Sequence, residues 1–142
     1  MIAIGCDHGG FELKQAIVKH LTERGLAYQD FGCFSNEAVD YPIYAKEVAK
    51  AVAAGTCDRG ILICGTGIGV SMAANKVKGI RAALCTDCFM AEATRQHNDA
   101  NVLALGGRVL GMGLALKIVD TFLDTEFSGE ERHSRRIAMI EE

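Results

Sequence analysis

The stretch Arg59-Gly60-Ile61-Leu62-Ile63-Cys64-Gly65-Thr66-Gly67-Ile68-Gly69-Val70 decides the architecture. Its first half is a short apolar run bounded by turn residues, the pattern of a strand buried on both faces. In its second half every other residue is glycine, and a helix is expected directly afterwards, over Val70–Val77, with Gly79 as its stop. A strand feeding a helix through a glycine turn is half of a βαβ unit. Outward from it the same alternation recurs. Further strands are expected at Ile2–Cys6, Leu26–Phe31, Ile80–Leu84 and Asn101–Leu105. Between and after them lie stretches with apolar residues at helical spacing: Leu13, Ile17 and Leu21; Tyr44, Val48 and Val52; Phe89–Gln96; Leu114, Ile118 and Phe122; and Arg132–Ile140. The fold expected is α/β, a five-stranded parallel sheet with helices on both faces, in a single domain spanning 1–142. Binding sites in such sheets gather at the carboxyl ends of the strands.

Composition agrees with this class. Among 142 residues, 49% are apolar and only 6% aromatic, with 16 Gly and one Pro, which suits aliphatic layers joined by glycine turns. No apolar run approaches the roughly 18–20 residues of a membrane span. The start, Met1-Ile2-Ala3-Ile4-Gly5, reads as a strand rather than a signal peptide, so no membrane partner and a cytoplasmic location are expected. The net charge of −3 argues against a nucleic-acid surface. Without a secreted context most of the six cysteines read as reduced, small apolar residues rather than a disulfide framework.

Four segments fall at or just beyond strand carboxyl ends: Cys6-Asp7-His8-Gly9-Gly10, Cys64 to Gly69, Cys85-Thr86-Asp87-Cys88 and Gly106-Gly107-Arg108. Gly65, Gly67 and Gly69 bare successive backbone N–H groups ahead of a helix, which can form a nest for an anion or an oxyanion. The same glycines also suit a plain tight turn with close helix packing. Val70 breaks the dinucleotide fingerprint, and no Gly-Lys-Ser/Thr follows, so neither nucleotide motif applies. Cys64 reads either as a buried core cysteine or as a thiol whose thiolate is favoured at a helix start and can act as a base. A base adjoining an oxyanion hole is what enolisation requires, because removing a proton beside a carbonyl puts charge on its oxygen.

Asp7 reads at least as a helix cap. His97-Asn98-Asp99 precedes the last strand and therefore belongs to the opposite rim, from which it reaches a site only through a loop or from a partner subunit. Arg132 and Arg136, at i and i+4, form either a fork for phosphate or a solvated basic face. Cys85-x-x-Cys88 has the spacing of a redox pair, without the proline or the intervening sequence of a thioredoxin-like site.

Seven segments in order resemble the family of type B ribose-5-phosphate isomerases and galactose-6-phosphate isomerase subunits. They are Gly5–Gly10, Asp40-Tyr41-Pro42, Ile63–Gly69, Ala73-Ala74-Asn75-Lys76, Arg95–Asp99, Leu105–Val109 and Arg132-His133. The resemblance implies a Rossmann-like three-layer subunit, a homodimer or dimer of dimers with the site between subunits, and no metal or other cofactor. It implies conversion of ribose 5-phosphate to ribulose 5-phosphate through a cis-enediolate, with hexose 6-phosphates such as allose or galactose 6-phosphate as alternative substrates. By position, Cys64 would move the proton between C1 and C2. The backbone of Gly65, Thr66, Gly67, Ile68 and Gly69, with the Thr66 hydroxyl, would hold the enediolate oxygens. His97 would open the furanose ring with Asp7 and Tyr41, and Asn98 would contact sugar oxygens. His8, Arg108, Arg132 and Arg136 would grip the phosphate. Relatives that lack the cysteine use a Glu where this chain has Val70, and Gly129-Glu130-Glu131 replaces a Gly-Gly before the final Arg-His. A phosphosugar-binding module without turnover is the reading from another class. It needs the nest and the arginines but no base.

Overall fold

The computed structural model describes residues 1–142. In chain order it contains β1 (Ile2–Cys6), a 3-10 turn (His8–Gly10), α1 (Phe11–Glu23), β2 (Tyr28–Asp30), α2 (Tyr41–Ala53) and β3 (Arg59–Cys64). These are followed by α3 (Ile68–Ala74), β4 (Ala82–Leu84), α4 (Cys88–Asn98), β5 (Val102–Gly106), α5 (Met112–Asp124) and α6 (Glu131–Ile140). All five strands are parallel, in the order β2-β1-β3-β5-β4.

The three inner strands are apolar and buried almost throughout, because both of their faces are covered. Alternate residues serve opposite layers. Ile2, Ile4, Ile61, Ile63, Leu103 and Leu105 pack with Leu13, Ile17 and Leu21 of α1 and Ile118 and Phe122 of α5. Ala3, Leu62, Cys64, Val102 and Ala104 pack instead with Val48, Ala49 and Val52 of α2 and Val70 and Ala74 of α3. The strand period of two therefore puts the Cys64 side chain on the α2/α3 side.

The outer strands are shorter than their apolar runs suggested. Expected over Leu26–Phe31 and Ile80–Leu84, they hold three residues each, half-buried for the most part. At β4 the free edge is closed by a side chain: Asn75 Oδ1 accepts from the Ala82 N–H at 2.7 Å and its Nδ2 donates to the Ala82 carbonyl at 3.0 Å. This pairing occupies an edge that would otherwise template another strand.

From β1 the chain moves to one side of the sheet, and from β3 to the other, with the connecting helices on opposite layers. The reversal opens a crevice at the carboxyl ends of β1 and β3, the position where open α/β sheets bind ligands. No helix is long and apolar enough to cross a membrane.

Candidate active site

Residues following β1, β3 and β5 meet at that crevice. Asp7 follows β1, and its N–H donates to the Ile63 carbonyl at 3.2 Å. Its carboxylate Oδ1 accepts from the N–H groups of Gly9 at 2.9 Å and Gly10 at 3.2 Å, so Asp7 does cap the next turn. It is nevertheless held at the rim as a buried acid. His8 Nδ1 accepts from the Val39 N–H at 3.2 Å, which assigns a neutral His8 its proton to Nε2 and leaves that donor available.

Cys64 ends β3 with its sulfur turned into the glycine turn. Sγ accepts from the Gly67 N–H at 3.1 Å, and the residue keeps 5% exposure. Gly67 makes this possible with φ +81, and a Cβ there would lie 2.8 Å from the Leu105 carbonyl carbon. Because Gly67 takes the left-handed conformation, the helix starts at Ile68, two residues earlier than the pattern suggested. It has only seven residues, so anion binding here falls on individual N–H groups of the loop more than on a helix dipole. Thr66 Oγ1 accepts from the Ile68 N–H at 3.2 Å, and the hydroxyl stays exposed. Gly69 carries no side chain because the Tyr41 ring lies against it: a Cβ there would be 2.6 Å from Tyr41 Cε1. Tyr41 thereby reaches the crevice from the start of α2.

The third wall is the Gly106-Gly107-Arg108 turn. Gly107 N–H donates to the Cys64 carbonyl at 2.8 Å and Arg108 N–H to the Gly65 carbonyl at 3.0 Å. The Arg108 side chain lies over Gly65, where a Cβ would be 3.4 Å from its Nη1. One exposed guanidinium thus overhangs the row of amides that ends at the thiol.

His97, Asn98, Arg132 and Arg136 are not part of this cluster. Helix α4 leaves the carboxyl rim after β4 and spans 11 residues, about 16 Å, so its last turn lies at the amino rim. There Arg81, just ahead of β4, donates from Nε to the Asn98 carbonyl at 2.9 Å. Helix α6 packs beside this turn and sets the His133 ring 4.5 Å from the His97 ring, centroid to centroid. Arg132 pairs with Glu130 at 3.0 Å, Arg135 with Glu131 at 2.8 Å, and Arg136 is exposed. The acidic pair at the start of the helix therefore engages Arg132 and Arg135, not Arg136.

The buried His133 and its exposed partner Ser128 form a contact behind His97 that no sequence pattern marked. The only signal was the occurrence of His133 within the Arg132-His133 motif.

A cavity of about 520 Å³ is also at this second rim, lined among others by Lys76, Arg81, Ala82, Asn98 and Ile140. It lies away from Cys64. No three His, Cys, Asp or Glu side chains are grouped so as to hold a metal ion. All six cysteines are free; Cys85 is buried, and burial, then Asp87, pushes its thiol up to about 12.

The model of the ribose/galactose isomerase family matches residues 2–140. The chain belongs to that family. It is 55% identical over 139 residues to ribose-5-phosphate isomerase B of Escherichia coli, covering 98% of this chain and 93% of that one. The solved ribose-5-phosphate isomerase B of Clostridium thermocellum superposes with a TM-score of 0.97 at 58% identity, covering 99% and 94% of the two chains. A galactose-6-phosphate isomerase subunit, LacB of Clostridium acetobutylicum, is 41% identical over 142 residues, covering 100% of this chain and 82% of the relative. Both branches of the family therefore stand among the relatives.

Proposed function

We propose that this chain interconverts ribose 5-phosphate and ribulose 5-phosphate, in the pentose phosphate pathway of the cytoplasm. The observation that carries the reading is the Cys64 sulfur facing the Gly67 N–H in a crevice rimmed by Asp7, Thr66 and Arg108. Phosphate binding by itself needs no such sulfur. Two relatives above 50% identity that are named ribose-5-phosphate isomerase B support the pentose substrate. Six free cysteines fit a reducing compartment.

In the open-chain aldose, the Cys64 thiolate removes the C2 proton. The electron pair forms the C1–C2 double bond, and negative charge develops on O1. Loop N–H groups and the Thr66 hydroxyl stabilise that oxyanion, where a single lost donor typically costs about 2.7–4 kcal/mol. A proton passes from O2 to O1, and Cys64 returns its proton to C1, leaving the ketone at C2. The same thiol serves both carbons because the enediolate is cis and both carbons present one face.

Ring opening comes first and needs groups from the other rim. In a homodimer, or a dimer of dimers, the partner subunit's His97 would stand over this crevice and give a proton to the ring oxygen. The anomeric hydroxyl proton would be drawn toward Asp7, with Tyr41 alongside. The partner subunit's Asn98 would contact sugar oxygens. His8 and Arg108 would hold the phosphate, with the partner subunit's Arg132 and Arg136. The placement of these residues on opposite rims of one chain supports a site assembled from two.

A coupled assay comparing ribose 5-phosphate with allose and galactose 6-phosphates tests the substrate. Higher kcat/KM for the pentose is expected. Preference for a hexose phosphate would move the chain to the branch represented by the galactose-6-phosphate relative.

A further inference from the structure

His133 is among the few buried polar residues of the chain, at 5% exposure, whereas the adjoining His97 is exposed. Their rings lie 4.5 Å apart, tilted by 36°. Both His133 nitrogens are engaged. Arg132 Nε lies 3.3 Å from His133 Nε2, and a guanidinium only donates, so Nε2 must present its lone pair. The ring proton is therefore on Nδ1, which donates to Ser128 Oγ at 2.7 Å. Ser128 is itself fixed: its N–H donates to the Gln96 carbonyl at 3.2 Å, and its Oγ accepts from the Glu130 N–H at 3.2 Å. A closed circuit thus runs from the backbone next to His97, through Ser128, to the ring on which His97 rests. Burial, then the neighbouring His97 and Arg132, holds the His133 pKa below its ordinary value, in keeping with a neutral ring.

We propose that His133 is a positioning residue for ring opening, a neutral imidazole locked in one tautomer that fixes the ring of His97 in the orientation it presents to the substrate of the adjoining copy. The inference rests on the reading of His97 given above. It assigns His133 no contact with substrate. Its effect is geometric, since small misplacements of a proton-transfer group cost rate steeply.

Ribulose 5-phosphate separates ring opening from enolisation. Its C5 hydroxyl is esterified, so it forms no five-membered hemiketal and meets the enzyme open-chain. Uptake of solvent deuterium at C1 then reports the Cys64 step alone, while net conversion between the two sugars also includes the ring step. For His133→Ala, net conversion should fall between about tenfold and a hundredfold, with C1 exchange held to within about twofold. Ser128→Ala, which frees the tautomer without emptying the buried site, should shift the same ratio in the same direction by less. Parallel loss of exchange and conversion in both variants, or no loss in either, overturns the proposal. His97→Ala is the control. If it shifts the ratio and the His133 and Ser128 variants do not, the positioning role alone falls; if His97→Ala leaves the ratio unchanged, the ring-opening reading falls and the proposal with it.

Discussion

The backbone N–H of Gly67 donates to Cys64 Sγ across 3.1 Å, a bond that closes the turn between β3 and α3. The geometry depends on the left-handed backbone of Gly67, at φ +81, and on the space a side chain would fill against Leu84 and Leu105. Sulfur, amides and the overhanging Arg108 are thus set by the backbone of β3 and β5, whose Cys64 and Gly106 stand in register.

Gly67→Ala should therefore weaken both stability and catalysis. The left-handed conformation costs a non-glycine residue about 1–3 kcal/mol, and a Cβ 2.6 Å from Leu84 Cδ1 adds a clash. Thermal unfolding should shift down. In the fraction that remains folded, kcat should fall more than KM rises, because the turn holds the transition-state charge.

Arg108→Ala should raise KM for ribose 5-phosphate by between about tenfold and a hundredfold, the range for a lost charge-assisted hydrogen bond. The guanidinium over Gly65 is placed for an anion, so the residual activity on unphosphorylated ribose should not change. Steady-state kinetics on the two sugars compare these directly.

Cys64→Ala and His97→Ala, each inactive on ribose 5-phosphate alone, should complement when unfolded together and refolded. Random pairing makes half the dimers mixed, and each mixed dimer has one intact site of two, so activity should return to about one quarter of the native value. No recovery would place both groups in the site of one chain.

Cys6 and Cys85 are buried, and burial is the main cause that pushes each thiol up to about 12. For Cys6 the buried Lys14 opposes the rise, and the neighbouring Cys33 adds to it. Alkylation of the native protein with iodoacetamide near pH 8, followed by peptide mass spectrometry, should leave both unmodified, since the thiolate is the reactive form. Cys88, which is partly exposed, should label.

His133 supplies a pH dependence. Burial, followed by His97 and Arg132, holds its pKa below the ordinary 6.5, so the folded chain binds this proton more weakly than the unfolded chain does. Its contribution to stability is full above about 6.5 and is lost as pH falls through that value toward the folded pKa. Melting temperatures between pH 8 and pH 5 should fall less steeply in His133→Phe than in the native chain.

The inner strands could be read from sequence because burial on both faces leaves unbroken apolar runs, as at Ile2–Cys6 and Arg59–Cys64. The outer strands could not be bounded, because the apolar runs continue past the paired residues: Leu26 and Phe31 flank Tyr28–Asp30, and the buried Ile80 precedes Ala82–Leu84, all outside the ladder. The crevice was legible because Asp7, Cys64 and Arg108 each lie at or within two residues of a strand's carboxyl end, and parallel strands share one rim. The start of α3 was not, because the pattern does not tell which of three glycines takes the positive φ. The Ser128–His133–His97 contact was illegible for another reason: it joins α4 to α6 through tertiary packing, with no local spacing to announce it.

The most direct test follows deuterium uptake at C1 of ribulose 5-phosphate by Cys64→Ala in heavy water, with ligand binding measured on the same sample. Exchange should drop by about 10²–10⁴, the usual worth of a positioned acid–base group, while ribose 5-phosphate still binds. Exchange within a few-fold of the native rate in a variant that binds normally would contradict the assignment of the proton transfer to this thiol.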